Sequence, residues 1–319
     1  MSKTRDSSYK FKGIIEDDLL ASHNISIDDI TIVIPTLNEE PAIGLVLEGV
    51  LQEGFENILV VDGFSSDGTV DVVESYRVKC ITQEGKGKTG AIKTALKHVD
   101  TRYLLLMDGD ATYPARDIGN LFSQIPDNYE VVGARKNGRE NISLLNRFGN
   151  WAINLLFNLI FGTRLTDVCS GMYLLDTKFA RSLDFKTEGF DVEVEIAANA
   201  AYQNKIAEVP ISFNQRLGVQ KLQPFRDGAK IIYRIIDMGV KFHLLRSISL
   251  LEACLIIPSL LLFYIFLDVN TFNTWSLSFI IGFIMLVLAV QGITLYIVDV
   301  TFSRRNKNKS DITETHTKI

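Results

Sequence analysis

The chain has 319 residues, 47% of them hydrophobic, and a formal net charge of −5. That length accommodates one large domain and a further segment, and the acidic balance argues against nucleic acid as a partner. Cys80, Cys169 and Cys254 are far apart and show no metal-ligand spacing, so buried free thiols in a reducing compartment are expected.

Residues 1–29 are polar and read as an arm; with no apolar run there, no signal peptide is expected. From Ile30 the texture alternates. Residues 30–35 are a short β-branched run, hence a buried strand, and 39–53 carry Ile43, Val46, Leu47 and Val50 at helical spacing. Strands follow at 57–62, 78–82 and 103–107, with helices at 69–76 and 90–98 between them, and a further strand at 129–134. Such alternation implies parallel strands joined by crossover helices. Ligands of such sheets bind beyond the carboxyl ends of the strands. Three strands here end in polar loops: Pro35-Thr36-Leu37-Asn38-Glu39, the stretch from Asp62-Gly63 to Thr69, and Asp108-Gly109-Asp110.

The last of these loops is the most chemically loaded. Two carboxylates on a buried strand end suit Mg²⁺ or Mn²⁺, hard ions that prefer carboxylate and phosphate oxygens. Such an ion neutralises charge building on a leaving diphosphate. Asp62 and Gly63 close a strand where nucleotide recognition is plausible. Asp67 and Thr69 read instead as a structural turn and helix cap. Gly85-Lys86-Gly87-Lys88 is a flexible basic loop, either solvated or close to a nucleotide; its spacing does not fit a P-loop NTPase. Arg135, Arg147, Arg216 and Lys221 are the basic residues available to hold two phosphates, for which an arginine fork is well shaped.

Further on, 143–162 is unusually apolar, with Leu144, Leu145, Phe148, Trp151, Leu155, Phe157, Leu159, Ile160 and Phe161. Arg147, Asn150, Asn154 and Asn158 form a polar stripe along it, which suits an amphipathic helix in a membrane interface. A second amphipathic candidate covers 230–243. Two apolar runs, 248–267 and 275–298, are each about long enough to span a bilayer, which takes roughly 20 residues. The loop between them has no Lys or Arg, whereas Arg234, Lys241 and Arg246 precede the pair and Arg304, Arg305, Lys307 and Lys309 follow it. The positive-inside rule then puts both ends in the cytoplasm, and the sequons at Asn24 and Asn141 are expected to stay unmodified.

Taken together, the stretches 34–40, 60–69, Gly85-Lys86-Gly87, Asp108-Gly109-Asp110, 167–171 and 216–222 resemble glycosyltransferase family 2. Within it they look like the polyprenyl-phosphate glycosyltransferases. The run 35–47 together with Asp108-Gly109-Asp110-Ala111-Thr112-Tyr113 is similar to archaeal enzymes that begin N-glycan assembly on dolichyl phosphate. The resemblance implies an α/β fold of GT-A type, a Rossmann-like mixed sheet, with interfacial amphipathic helices and a C-terminal two-helix transmembrane hairpin. The divisions expected are an arm over 1–29, a cytosolic catalytic domain over 30–225, a juxtamembrane helix over 226–246, two spans over 247–303 and a basic tail over 304–319. Asp108 and Asp110 are implied at the metal, and Pro35, Asn38, Glu39, Asp62, Gly63 and Lys86 at the nucleotide. Arg216 and Lys221 would sit on the donor diphosphate, Arg135 and Arg147 on the acceptor phosphate. Asp167 is the candidate to orient or deprotonate the acceptor.

Two departures from the mannose synthases bear on the donor. Thr112 stands where those enzymes commonly have Gln, and Gly63 where a second Asp is common. Both favour a UDP-sugar, such as UDP-GlcNAc or UDP-glucose, over GDP-mannose. The expected reaction is inverting transfer of a monosaccharide to dolichyl phosphate in a membrane, with the oligomeric state left open. The rival from another class is a non-catalytic, membrane-anchored adaptor that binds sugar nucleotides; intact Asp108, Asp110, Arg216 and Lys221 argue against it. A processive polysaccharide synthase is disfavoured because Gln215-Arg216 lacks the Gln-x-x-Arg-Trp pattern.

Overall fold

The computed structural model describes residues 25–137, 139–221 and 223–253, with residue 258 and parts of 283–295. The chain divides into two compact units, one ending at Ile235 and the other starting at Ile236.

The first unit is built on a seven-stranded sheet. Its strands are β1 (Ile30–Thr36), β2 (Ile58–Asp62), β3 (Lys79–Thr82), β4 (Tyr103–Met107), β5 (Glu130–Asn137), β6 (Met172–Asp176) and β7 (Ile206–Ser212), in the spatial order β3-β2-β1-β4-β6-β5-β7. β1, β2, β3 and β4 run parallel; β1, β2 and β4 are buried along nearly their whole length, as their apolar runs predict for strands covered on both faces, whereas β3 is an edge strand whose Lys79 and Thr82 are exposed. β6 is antiparallel to both β4 and β5, whereas β7 is parallel to β5. The mixed sheet is therefore present.

Helices cover both faces. On one lie α1 (Glu40–Gln52), α2 (Thr69–Ser75) and the short α4 (Ile118–Phe122), whose buried Ile43, Leu47, Val73, Leu121 and Phe122 meet Ile32, Ile34, Val60 and Leu105 of the strands. On the other lie α3 (Gly87–His98), α6 (Thr177–Ser182) and α7 (Val192–Tyr202), where Ile92, Phe179, Val192 and Ile196 meet Val33, Val61, Leu104 and Tyr173. Ile43, Val46, Leu47 and Val50 of α1 are all buried, as their spacing predicts. The stretch after 162, where no alternation is visible in the sequence, supplies β6, α6, α7 and β7.

This topology explains where a site can form. From β1 the chain proceeds outward to β2 and β3, then returns to place β4 on the other side of β1, so the β1/β4 boundary is a switch point and opens a crevice. Because β6 is antiparallel to β4, with Met107 opposite Met172, the loop entering β6 lies beside the loop leaving β4. Because β7 is parallel to β5, the segment after Ser212 leaves at that same end.

Helix α5 (Leu144–Phe161) starts at Ser143, whose hydroxyl accepts the Asn146 N–H at 3.3 Å, and stops at Gly162 with φ 72°. It buries Ile153, Phe157, Ile160 and Phe161 and leaves Leu144, Leu145, Phe148, Trp151, Leu155 and Leu159 exposed. Part of its polar stripe faces the protein rather than a membrane interface. Asn154 and Asn158 are engaged by the protein's own loop, Asn154 with Thr166 O and Val168 N, and Asn158 with Leu165 O, Leu165 N and Thr163 Oγ1. They pin residues 163–168 and so fix the approach to β6.

Helix α8 (Pro224–Phe242) begins earlier than its periodicity predicts. It exposes Phe225, Ile232, Tyr233, Ile236 and Val240 along one side. The second unit is largely helical where it is described. No helix among the described residues is long and apolar enough to cross a membrane. The runs expected to span, 248–267 and 275–298, fall largely outside the described residues.

Candidate active site

Three loops meet at the switch point, and each contains a non-glycine residue with left-handed backbone: Asn38 (φ 52°), Phe64 (φ 66°) and Ala111 (φ 61°). Conformations of this kind are costly and persist where the surroundings impose them, commonly at functional sites. Here the surroundings are reciprocal hydrogen bonds. Asn38 Oδ1 accepts the Ser66 N–H at 2.7 Å, and Asn38 N–H donates to Ser65 Oγ at 2.8 Å. Gly63 N–H donates to Thr36 O at 2.7 Å, and a Cβ on Gly63 would come within 3.1 Å of that oxygen.

Asp62 is buried and caps its own loop, accepting from Ser65 Oγ at 2.6 Å and Ser65 N–H at 2.9 Å. Asp67 accepts from Thr69 Oγ1 and from the Thr69 and Glu40 N–H groups, the structural role read from the sequence. Pro35 is half-buried in β1 opposite Val61. Lys86 is exposed and precedes α3.

Asp110 is nearly sealed. Its Oδ1 accepts from Thr112 Oγ1 at 2.5 Å and Thr112 N–H at 3.0 Å, and its Oδ2 lies 2.5 Å from Arg216 Nη2. The segment bearing Arg216 is stitched to the same loop, since Leu217 N–H donates to Asp110 O and Asn214 N–H to Thr112 O. Further along that segment, Lys221 pairs with Glu39 and donates to Asn38 O at 3.2 Å. Burial pushes the Glu39 carboxyl above its ordinary value, against the pull of Lys221. Its Oε2 is buried with no hydrogen-bond partner. The structure thus brings Asn38, Glu39, Asp62, Gly63, Asp108, Asp110, Arg216 and Lys221 to one place.

Asp108 is held on two sides. Lys88 Nζ lies 2.6 Å from Asp108 Oδ1 and also 2.6 Å from Glu193 Oε1, which α7 presents. A Cβ on Gly171 would come within 2.0 Å of Asp108 Oδ2, so only glycine allows that approach. Gly171 N–H donates to Tyr113 Oη at 2.7 Å, tying the loop before β6 to the loop after β4. Burial pushes the Tyr113 phenol up to about 12.

Neither Lys88 nor Glu193 stands out in the sequence as a site residue. The basic loop that reads as flexible is packed instead: Gly87 has φ 60°, and a Cβ there would come within 1.9 Å of Glu188 O. Helix-start position and a basic run were the only signals, and neither distinguishes the buried Lys88 from the exposed Lys86.

Arg135 and Asp167 are brought together, but with each other. Arg135 Nε and Nη2 grip Asp167 Oδ2 and Oδ1 at 2.5 and 2.6 Å, and the Arg135 N–H adds a third bond at 3.0 Å. Burial disfavours the Arg135 charge, but Asp167 holds its pKa well above the ordinary value. Its guanidinium also lies 5.2 Å from the Phe213 ring centroid, and Phe213 packs edge-on against Tyr113. Arg147 is exposed on the first turn of α5, beside the exposed apolar face.

Cys80 and Cys169 are free and half-buried, and burial raises both thiols; Cys254 lies outside the described residues.

The site is a crevice at the sheet's switch point, lined by a strand-end carboxylate pair and closed by basic residues from the segment after the last strand. Residues 31–207 match the family model described as glycosyl transferase family 2, and the chain belongs to that family. It is 33% identical over 215 residues to glycosyltransferase AglJ of Haloferax volcanii, covering 65% of this chain and 71% of that one. It is 32% identical over 222 residues to the dolichyl-phosphate hexose transferase of the same organism, covering 68% of this chain and 96% of that one. Its fold matches glucosyl-3-phosphoglycerate synthase from Mycobacterium tuberculosis with a TM-score of 0.56 at 18% identity, over 75% of this chain and 86% of that one.

Proposed function

We propose that the protein transfers a monosaccharide from a nucleotide sugar to a polyprenyl phosphate held in a membrane. The observation that carries this reading is the buried Asp110, set at the switch point beside Asp108 and closed by Arg216. The acceptor class is supported by likeness to a relative named for dolichyl phosphate and matched over 96% of its length. It is supported too by the exposed apolar face of α5 next to Arg147.

The donor set fits a divalent metal. Asp108 and Asp110 offer only hard oxygen ligands, and no group of three or more His, Cys, Asp or Glu converges among the described residues. Two carboxylates with the balance from donor phosphates and water is how Mg²⁺ and Mn²⁺ are commonly held beside nucleotides. The solved structure of similar fold contains Mn²⁺ and UDP. Asp108 and Asp110 would hold the ion, which would neutralise the departing diphosphate.

The chain's own residues supply the rest. Arg216 and Lys221, now paired with Asp110 and Glu39, are placed to turn towards the donor's phosphates. The loops around Asn38, Asp62 and Gly63 form a preset floor for the nucleoside, with Pro35 and Lys86 at its margins. Arg147 takes the acceptor phosphate, and the Arg135–Asp167 pair shapes the wall towards it. An acceptor phosphate is already anionic near neutral pH, so positioning and charge stabilisation dominate over base catalysis. Transfer is inverting in this reading, the donor a UDP-sugar such as UDP-GlcNAc or UDP-glucose, and the product a dolichyl-phosphate sugar for N-glycan assembly. The catalytic domain spans 30–225 and faces the cytoplasm, followed by the helix at 226–246, two spans within 247–303 and the tail.

One assay tests this. Purified protein is incubated with dolichyl phosphate, Mg²⁺ or Mn²⁺ and a panel of UDP- and GDP-sugars, with products read by mass spectrometry. A dolichyl-phosphate sugar formed from a UDP donor is the expected result. Formation from GDP-mannose alone would reassign the donor, and donor binding without any product would favour the adaptor.

A further inference from the structure

Asp108 has far less freedom than a surface carboxylate, and the restraint comes from residues with no place in the reading above. Lys88 is almost wholly buried, with a side chain 9% exposed, and so is Glu193, at 6%. Between them they form a chain from α7 through the first turn of α3 to the strand-end carboxylate: Glu193 Oε1 to Lys88 Nζ to Asp108 Oδ1, 2.6 Å at each step.

The middle of the strut and its α7 end are themselves locked. Thr89, next to Lys88, has its hydroxyl 3.0 Å from that of Thr187, and Gly87 lies against Glu188 O. Glu195 accepts the Lys186 and Thr187 N–H groups, which fixes the strap before α7. Glu193 Oε2 is buried and has no hydrogen-bond partner. Lys88 is thus the ion-pair partner that Glu193 meets through its other oxygen, Oε1.

Burying the charges of Lys88 and Glu193 gains little for fold stability alone, because well-packed apolar residues commonly do as well. A rigid, ion-paired strut does accomplish something else. It fixes one oxygen of Asp108 and directs the other, Oδ2, towards Gly171 at the crevice, where 29% of the side chain is exposed.

We propose that Lys88 and Glu193 are positioning residues that set Asp108 for the metal–nucleotide complex, with Glu193 acting through Lys88. The proposal rests on the reading of Asp108 as part of the donor site. It places donor affinity partly under the control of α7, an element with no carboxylate at the crevice itself.

The test is a double-mutant cycle on nucleotide binding, read by calorimetric titration of UDP with Mn²⁺ into the full-length protein in detergent. Lys88→Met is expected to weaken UDP by about 10–100-fold, the range for residues that orient metal ligands, and Asp108→Asn, which removes the ligand itself, by at least as much. The double variant should bind no more weakly than Asp108→Asn alone, because Lys88 acts only through the carboxylate that this variant has already lost. Glu193→Gln should weaken UDP in the wild-type background and have no effect in the Asp108→Asn background. A merely structural role would give losses that multiply, and multiplying losses overturn the proposal. If Lys88→Met fails to fold, the Glu193→Gln cycle alone decides, with equal losses in both backgrounds as the overturning result. Wild-type protein that binds neither UDP nor GDP with Mn²⁺ overturns the donor-site reading itself, and the positioning role with it.

Discussion

Arg216 Nη2 sits 2.5 Å from Asp110 Oδ2, a basic residue from beyond the last strand of the sheet closing on a carboxylate from its centre. The pair leaves Asp110 with both oxygens engaged, by Thr112 on one side and Arg216 on the other. A metal–diphosphate ligand would compete for the same oxygen and offer Arg216 phosphates in exchange. Asp110→Asn is therefore expected to abolish transfer, with losses on the order of 100-fold or more, as for other lost electrostatic groups in transition states. Arg216→Ala should also lower turnover while keeping the fold. Near-normal activity of Asp110→Asn at saturating Mn²⁺, measured by product formation, would remove Asp110 from the metal site.

Gly171 and Gly87 make a contrasting pair. A Cβ on Gly171 would collide with the end of a side chain, Asp108 Oδ2 at 2.0 Å, whereas one on Gly87 would collide with backbone, Glu188 O at 1.9 Å. A side chain can swing aside, but backbone in a packed strap yields less readily. Gly171→Ala should accordingly displace Asp108 and reduce transfer by on the order of 100-fold, as small misplacements do, with a melting temperature near that of wild type. Gly87→Ala should lower the melting temperature clearly, since its positive φ adds strain. Thermal melts beside transfer assays separate the two, and a stable, fully active Gly171→Ala would show that Asp108 tolerates movement.

How much of this was legible in the sequence depends on the range of the interactions. β1, β2 and β4 could be read because buried parallel strands are written as apolar runs, and their C-terminal ends carried Asn38, Asp62, Asp108 and Asp110. The order β3-β2-β1-β4 then put those loops side by side. What no local pattern shows is pairing across the sheet. Arg135 and Asp167 each looked like a group for the acceptor, yet the antiparallel β6 delivers one into the grip of the other. Asn154 and Asn158 looked like the polar stripe of a helix in a membrane interface, yet they bind the loop that follows their own helix. Glu193 gave no signal, because a carboxylate in the first turn of a helix is ordinary, and only the fold shows it meeting Lys88.

Glu130 provides a handle on stability. It is buried on β5 with Oε2 lacking a partner, and burial pushes its carboxyl well above the ordinary 4.5, with Glu193 adding to the shift. The folded state therefore keeps a proton that the unfolded state releases above about pH 4.5. Stability falls as pH rises from there towards the folded value, by at most about 1.4 kcal/mol per pH unit for this one group. Glu130→Gln, neutral at every pH, should cancel that fall. Its melting temperature should exceed that of wild type at pH 8, and the gap should close as pH drops towards 4.5. A gap independent of pH would mean that Glu130 does not titrate in this window.

Arg147 gives the sharpest test of the acceptor side. It stands exposed on the first turn of α5, at the edge of a face made by Leu144, Phe148, Trp151, Leu155 and Leu159. A helix that sinks such a face into a headgroup boundary presents its border residues at the depth of lipid phosphates. Arg135 is gripped by Asp167, which leaves Arg147 as the better-placed fork for an incoming lipid phosphate. Lysine in its place offers only a point charge. Arg147→Lys should therefore be impaired and Arg147→Ala more so, with the defect in the dependence on dolichyl phosphate and with UDP affinity unchanged. An exposed arginine without this role would be worth about 0–1 kcal/mol of stability and would leave the kinetics alone. Steady-state kinetics with varied dolichyl phosphate, run beside UDP titrations, distinguish the two. Wild-type kinetics in Arg147→Ala would remove Arg147 from the acceptor site and return the role to Arg135, which would then have to release Asp167 to perform it.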